Sequence, residues 1–505
     1  MSERRRSAVL GMIFGYASLM IALARNVIFV PIYLQKIPLA EYGAWLATGG
    51  ALALILINDY GLAGVVTQRI SARYGAGDFA ALGRLTGSAL AIGAFVSITL
   101  SVISLVFIPF LPGLSALSTD ESRTVVACFV GAVAANALGI VGATATSVIR
   151  SLQKAVLSGS IVLFAEIVNI AVILAGLYSG HGLYAIAAGM LARSVIITVA
   201  GLTGVWLVCA VNIGAKIEIH TAEIRDLVGE ASRFFLSSIA MKLQAQANVF
   251  FVSFILGPTS AAIYSLTVRA HETVAMVISL INGSLVPSVT HLLGSGDLAR
   301  FRVVLLRLFI SVTALTALAM TMTVILNFAF LRLWVGAYAF GGQPVSVLMA
   351  AALFVSSVGY VAYDALLAQG KFRLVSRVFF FTSLLQVLLL MSLLHLGLWL
   401  APTATMLTAG AWGYAFWRIV AADIGLTVSE ARGLLRELMR LVAVSTAGVA
   451  GFLALYPNAN TWTGLVIEAL VSGACLTIGY LAFSRKLRGI LLEEIGSTLR
   501  VFRTT

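Results

Sequence analysis

The segment RAHETV, residues 269 to 274, places an arginine, a histidine and a glutamate within four consecutive positions of a stretch otherwise nearly as apolar as lipid. A charged side chain at the centre of a bilayer costs at least ~2.5 kcal/mol, so such groups usually face a bundle interior or a wet cavity. On a helix of 3.6 residues per turn, Ser265, Arg269, Glu272, Met276, Ser279 and Gly283 share one stripe, while His271 points elsewhere and packs between helices. Arg269 and Glu272, three residues apart, are within reach of each other. Two other segments repeat the pattern. Gly11, Gly15, Ser18, Ala22 and Arg25 share a face on which small residues leave space beneath one arginine, and Ser238, Lys242, Gln246 and Ser253 form a polar line. Arginine offers a planar fork of donors suited to phosphate oxygens, and lysine supplies a point charge. Arg25, Lys242 and Arg269 are therefore candidate contacts for a phosphate-bearing or otherwise acidic substrate, converging on one cavity.

The remaining intramembrane charges admit a plainer role, in which each is neutralised by a neighbouring helix and fixes packing. Arg193 and Glu166 are placed to form such a pair. Glu272, Asp59 in LINDYGL, Glu166 and Asp364 in VAYDALL are the candidates for binding a coupling ion or acting as gates. Glu468 is expected to be structural or lipid-related.

The elements that must position these groups follow from composition. Of 505 residues, 60% are apolar and 10% charged, whereas soluble proteins carry roughly 25% charged residues. The chain is thus an all-α integral membrane protein. Spans of about 20 apolar residues fall near 8–34, 44–66, 85–110, 125–149, 156–177 and 183–210, then near 233–256, 262–290, 303–331, 345–368, 374–396, 399–420, 441–456 and 463–484. The count is fourteen. The apolar run behind MSERRRSAVL is too long for a signal peptide and reads as the first permanent span. No phosphate-binding loop, H-E-x-x-H or paired C-x-x-C occurs, and Cys128, Cys209 and Cys475 lie far apart inside apolar segments. These features imply no enzyme chemistry, no metal and no disulfide framework.

Of the 33 Lys and Arg residues, 26 fall on the face that carries both termini, which the positive-inside rule makes cytoplasmic. Eight of the nine prolines lie toward the other face. The sequence also repeats itself: NVIFV at 26–30 returns as NVFFV at 248–252, Tyr42 as Tyr264, and GAGD at 75–78 as GSGD at 294–297. Two parallel six-helix lobes follow, because six spans return the chain to its starting side. The expected organisation is an N-lobe over 1–215, a cytoplasmic amphipathic linker over 216–232 lying along the membrane surface, a C-lobe over 233–425, and an appendix over 426–505. That appendix holds an amphipathic segment, the terminal helix pair and a basic tail. Thr427 and Glu430 have capping-box spacing. In the two G-x-G-D loops the glycines turn the chain and the aspartate starts the next helix.

The two parallel lobes with a terminal pair, the opening RNVIFVPIYLQKIPLAEYGAWLATGGALALILINDYGLAGVVTQRIS and the later LLAQGKFRLVSR resemble the polysaccharide transporters of the multidrug/oligosaccharidyl-lipid/polysaccharide exporter superfamily, the O-antigen repeat-unit flippases among them. The resemblance covers nearly the whole chain with loose motifs, EYGAW and DYGL. It implies a bacterial inner-membrane protein working by alternating access. Its cargo would be undecaprenyl-diphosphate-linked oligosaccharide, moved from the cytoplasmic to the periplasmic leaflet for O-antigen or exopolysaccharide synthesis. It also implies that arginines on the first and eighth spans, here Arg25 and Arg269, hold the diphosphate. Sodium or proton coupling, no other cofactor, and partnership with polysaccharide polymerase or assembly proteins belong to the same implication; nucleic acid does not. A cation-coupled multidrug exporter of the superfamily is the nearest rival, kept open by Glu272 but opposed by the three cations. A membrane polymerase or ligase would need a substantial outer loop, and the outer loops here are short.

Overall fold

The computed structural model of the protein describes residues 20–21, 27–55, 62–111, 116–294, 298–455 and 459–490. Hydrocarbon offers no partner to an exposed backbone N–H or C=O, so spanning segments must close their hydrogen bonds internally. The described chain accordingly is built from helices and contains no strand.

The helices in chain order are α1 (Val27–Lys36), α2 (Leu39–Ile55), α3 (Leu62–Gly75), α4 (Phe79–Val106), α5 (Thr119–Ser151), α6 (Ala155–Tyr178), α7 (Leu183–Val205), α8 (Thr221–Leu256), α9 (Pro258–Gly294), α10 (Leu298–Trp334), α11 (Gln343–Ala368), α12 (Phe372–Leu393), α13 (Leu400–Asp423), α14 (Val428–Leu455) and α15 (Trp462–Phe483). Among the described residues, nine helices are long and apolar enough to cross a membrane. The apolar runs expected at 125–149 and 156–177 lie inside α5 and within a residue of the ends of α6. Of the first expected span, residues 20–21 and the end, as α1, are described, and the second is described as α2 and α3 on either side of residues 56–61. The count of fourteen thus rests partly on residues outside the description.

Contacts divide the chain into two units, Met1–Ala262 and Ile263–Thr505. In the first, α5 packs against α7, α6 against α7, α4 against α5, and α2 against α8. Small residues set these distances. A Cβ on Gly142 would meet Ile197 at 2.8 Å, and one on Gly189 would meet Ile173 at 2.5 Å. In the second unit α11 packs on α13, α10 on α11, α12 on α13, and the α14–α15 pair on α10. Val30 and Val252, and Tyr42 and Tyr264, the matched residues of the repeat, are all buried.

The stretch expected as an amphipathic linker, 216–232, divides between two local structures. Lys216 to His220 run non-helically along α4, where Gly83 and Gly87 admit them: a Cβ on Gly83 would meet the Lys216 carbonyl oxygen at 2.0 Å, and one on Gly87 the Glu218 oxygen at 2.3 Å. Ser88 Oγ donates to the His220 carbonyl at 3.2 Å and accepts from its N–H at 3.0 Å. From Thr221 the chain continues as one 36-residue helix to Leu256. No proline interrupts it before Pro258, so nothing compels a break between the charged and apolar parts. Arg69 on α3 holds its start through Glu223 and Asp226 at 3.7 and 3.8 Å.

The turn chemistry matches its expectation where it is described. Gly77 has φ +72°, and Asp78 caps α4 by accepting from Ala81 N–H at 3.0 Å. The second G-x-G-D, 294–297, lies mostly outside the described residues. Thr427 and Glu430 form the expected reciprocal cap, with the Thr427 N–H donating to Glu430 at 2.9 Å and the Glu430 N–H to Thr427 Oγ1 at 3.3 Å.

Candidate functional site

In the second unit, α9 carries the residues of RAHETV. Its packed side is formed by Leu266, Val268 and His271, each at most 1% exposed. Arg269 is half-buried, and the turn beyond it turns outward: Glu272, Met276 and Ser279 are exposed. The expected stripe is therefore open only in part, since Ser265 at one end is buried; the burial of Gly283, at the other end, lies outside the described residues. The wheel gives direction, whereas burial also depends on which neighbour covers each turn.

Arg269 and Glu272 share this side without meeting as an ion pair among the described residues. The arginine's Nε is enclosed and has no hydrogen-bond partner, while Glu272 remains exposed one turn along. A guanidinium is always charged and presents five N–H donors, and at Arg269 the enclosed Nε–H is one donor that no protein acceptor satisfies.

His271 serves another purpose. Its ring is fully buried, with Nε2 3.3 Å from Ser346 Oγ of α11. Asn327 of α10 donates to that same Ser346 oxygen at 3.1 Å and to the Thr267 carbonyl of α9 at 2.9 Å. Thr267 Oγ1 then accepts from Gly341 N–H at 2.7 Å. These polar side chains tie α9, α10 and α11 together, which is the packing role expected for His271. Asn327, Ser346 and Thr267 were not singled out by sequence; serine, threonine and asparagine are too common in membrane helices to signal a network alone.

In the first unit, Glu166 of α6 and Arg193 of α7 are joined as expected, Arg193 Nε donating to Glu166 Oε2 at 2.7 Å. Asn169 donates to the other carboxylate oxygen at 3.4 Å. The three groups line a cavity of about 600 Å³ together with Tyr33, Asn136 and Ser194. Asn169 was missed, although its spacing three residues after Glu166 in FAEIVNIAV was the available signal. Lys242, on α8, is exposed and has no ion pair among the described residues.

Asp364 of α11 is half-buried, one turn from Tyr360 and beside Tyr363, at the edge of an aromatic cluster. In that cluster Tyr363 and Phe379 have ring centroids 5.5 Å apart, and Phe379 and Trp412 5.2 Å apart. Arg25 and Asp59 lie outside the described residues. Glu468 is buried, with Oε2 accepting from the Ala459 N–H at 3.4 Å. No group of three or more His, Cys, Asp or Glu able to hold a metal occurs among the described residues.

No protein-family model matches the chain, and no curated sequence matches it. Solved structures do. The lipid II flippase MurJ in an inward-closed conformation superimposes with TM-score 0.69 at 13% identity, covering 95% of this chain and 99% of that one. An inward-facing multidrug resistance MATE family transporter of the MOP superfamily gives 0.64 at 14% identity, over 81% and 96%. A MOP superfamily transporter from Pyrococcus furiosus gives 0.59 at 15%, over 84% and 96%. At these identities the likeness establishes the fold: a multi-pass helical membrane fold shared with transporters of the MOP superfamily.

Proposed function

We propose that the protein is a flippase that moves undecaprenyl-diphosphate-linked oligosaccharide repeat units from the cytoplasmic to the periplasmic leaflet of a bacterial inner membrane, for O-antigen or exopolysaccharide synthesis. The observation that carries this reading is Arg269: an intramembrane guanidinium whose Nε is enclosed and unpartnered and which forms no close ion pair with the neighbouring Glu272. A guanidinium that the protein leaves without a hydrogen-bonded carboxylate is suited to an anionic ligand. Lys242, exposed and likewise without a described ion pair, and Arg25 complete the proposed diphosphate contacts. The fold shared with a lipid II flippase suits a cargo with a lipid anchor.

The physics of such a cargo fixes the mechanism in outline. Its charged, hydrated headgroup cannot cross hydrocarbon unaided and needs a polar passage, while its lipid tail remains in the bilayer. Opening to one leaflet at a time keeps the membrane sealed. Coupling to a sodium or proton gradient would use a carboxylate not already committed within the protein. Glu272 is exposed beside the arginine and fits that role; Asp364 and Asp59 are the alternatives. Glu166 fits less well because Arg193 and Asn169 already occupy it. No other cofactor enters this account, and it assigns no enzymatic step. Polysaccharide polymerase or assembly proteins would act on the product.

A second reading, a cation-coupled multidrug exporter, draws on the exposed Glu272 carboxylate and on the likeness to a MATE transporter. The two separate in liposomes loaded with a labelled polyprenyl-diphosphate-linked oligosaccharide, where movement between leaflets is followed by accessibility to an external reagent. Movement by the wild type that Arg269→Ala abolishes supports the flippase. Wild-type liposomes that leave the glycolipid in place but move an organic cation would establish the exporter instead.

A further inference from the structure

In the second unit, α10, α11, α13 and α14 enclose an apolar trough of about 470 Å³ that the transport reading does not use. Its floor is formed by Phe309 and Trp417, whose rings meet edge to face with centroids 4.8 Å apart, and Trp417 Nε1 donates to the Val358 carbonyl at 2.8 Å. Gly410 lies in its wall, and a Cβ there would meet nothing within 4 Å, so this glycine opens onto space. The rim carries Tyr414, 70% exposed, Leu435, 57% exposed, and the exposed Arg418.

Two features point to one occupant. The lining is almost wholly apolar except at one end, where Arg418 stands near the close of α13, the end that charge distribution places on the cytoplasmic side. Among the described residues of this end, Asp423 is engaged with Lys371, Glu430 with Arg302 and Glu437 with Arg440, and Asp364 of α11 forms no ion pair with Arg418. Arg418 has no acidic partner among the described residues, and Arg432 and Arg436 add exposed positive charge at the start of α14. Second, the trough runs along α13 from Gly410 to Ala421, about 16 Å at 1.5 Å per residue. That is half of a hydrocarbon core of roughly 30 Å, the depth of one leaflet.

We infer that this trough binds an anionic phospholipid of the cytoplasmic leaflet, with an acyl chain along the Gly410 wall and the phosphate against Arg418. Basic pockets at the cytoplasmic ends of membrane helices recognise such headgroups by charge, while the apolar length accepts the chain. The site concerns a bilayer lipid and is independent of the cargo proposed above.

Native mass spectrometry of the full-length detergent-solubilised protein, incubated with dioleoyl phosphatidylglycerol or dioleoyl phosphatidylcholine, tests it. The wild type should retain the anionic lipid roughly five-fold over the zwitterionic one. Arg418→Gln should erase that preference, Arg418→Lys should keep most of it, and Gly410→Phe should lower retention of both lipids by filling the trough. Should Gly410→Phe not fold, the Arg418 pair still decides the matter. Equal retention of the two lipids by the wild type, or an unchanged preference in Arg418→Gln, would overturn the assignment. So would displacement of bound phosphatidylglycerol by equimolar undecaprenyl phosphate, because the trough would then belong to the cargo's tail.

Discussion

Arg193 Nε lies 2.7 Å from Glu166 Oε2, and the two residues sit on adjacent helices facing one cavity. Glu166 is 8% exposed, while the Arg193 side chain retains 38% exposure. Removing the carboxylate strands a guanidinium in a mostly apolar wall.

Glu166→Gln should therefore lower stability by about 1–3 kcal/mol, the arginine's partial exposure moderating the cost of a fully buried charge. The double substitution Glu166→Gln with Arg193→Gln should recover much of the loss. Thermal unfolding in matched detergent measures the first effect, and glycolipid movement in liposomes the second. A pair that only fixes packing predicts that the double variant transports. Restored stability with abolished transport would instead identify Glu166 as a working ion ligand.

The strap along α4 yields a steric prediction. Gly83→Val puts a methine carbon where the Lys216 carbonyl oxygen stands, 2.0 Å from an ideal Cβ, so residues 216–220 must lift. The change should cost about 1–3 kcal/mol, as overpacking does, and hasten proteolytic cleavage within that stretch. Gly75→Ala, whose Cβ meets nothing within 4 Å, serves as the control. Indistinguishable cleavage of the Gly83 variant and the control would remove the strap from the account.

The Thr267–Asn327–Ser346–His271 network predicts a separation of stability from transport. Asn327→Ala removes the donor to Ser346 and to the Thr267 carbonyl together, leaving buried acceptors unpaired at a cost of about 1–3 kcal/mol. His271→Ala should likewise destabilise, with the folded fraction still transporting. Unaltered unfolding of His271→Ala accompanied by lost transport would move this histidine from packing into the transport mechanism.

What the sequence disclosed follows from how rare its signals are. Charges are scarce in apolar runs, so Arg193 and Glu166 can be paired from the sequence, and Thr427 with Glu430 by cap spacing alone. The face bearing Arg269 and Glu272 was visible on a wheel, but Ser265 is buried on that same stripe, because covering depends on neighbours in space. The seating of Lys216 to His220 on α4 was hidden for a similar reason. Gly83 and Gly87 resemble many small residues of membrane helices until the segment that fills their groove is known. Nor did amphipathicity reveal that residues 221–256 form one helix, since a charged start and an apolar continuation are equally compatible with a bend.

The central claim is that Arg269, with Arg25, holds a diphosphate. It is tested most directly by binding of undecaprenyl diphosphate to the purified protein in matched detergent, comparing the wild type with the Arg25→Ala/Arg269→Ala double variant. Saturable binding by the wild type, weakened at least about ten-fold in the variant as expected when charge-assisted hydrogen bonds are lost, is the result this account predicts. Equal binding by a folded double variant, or none by the wild type, would contradict it.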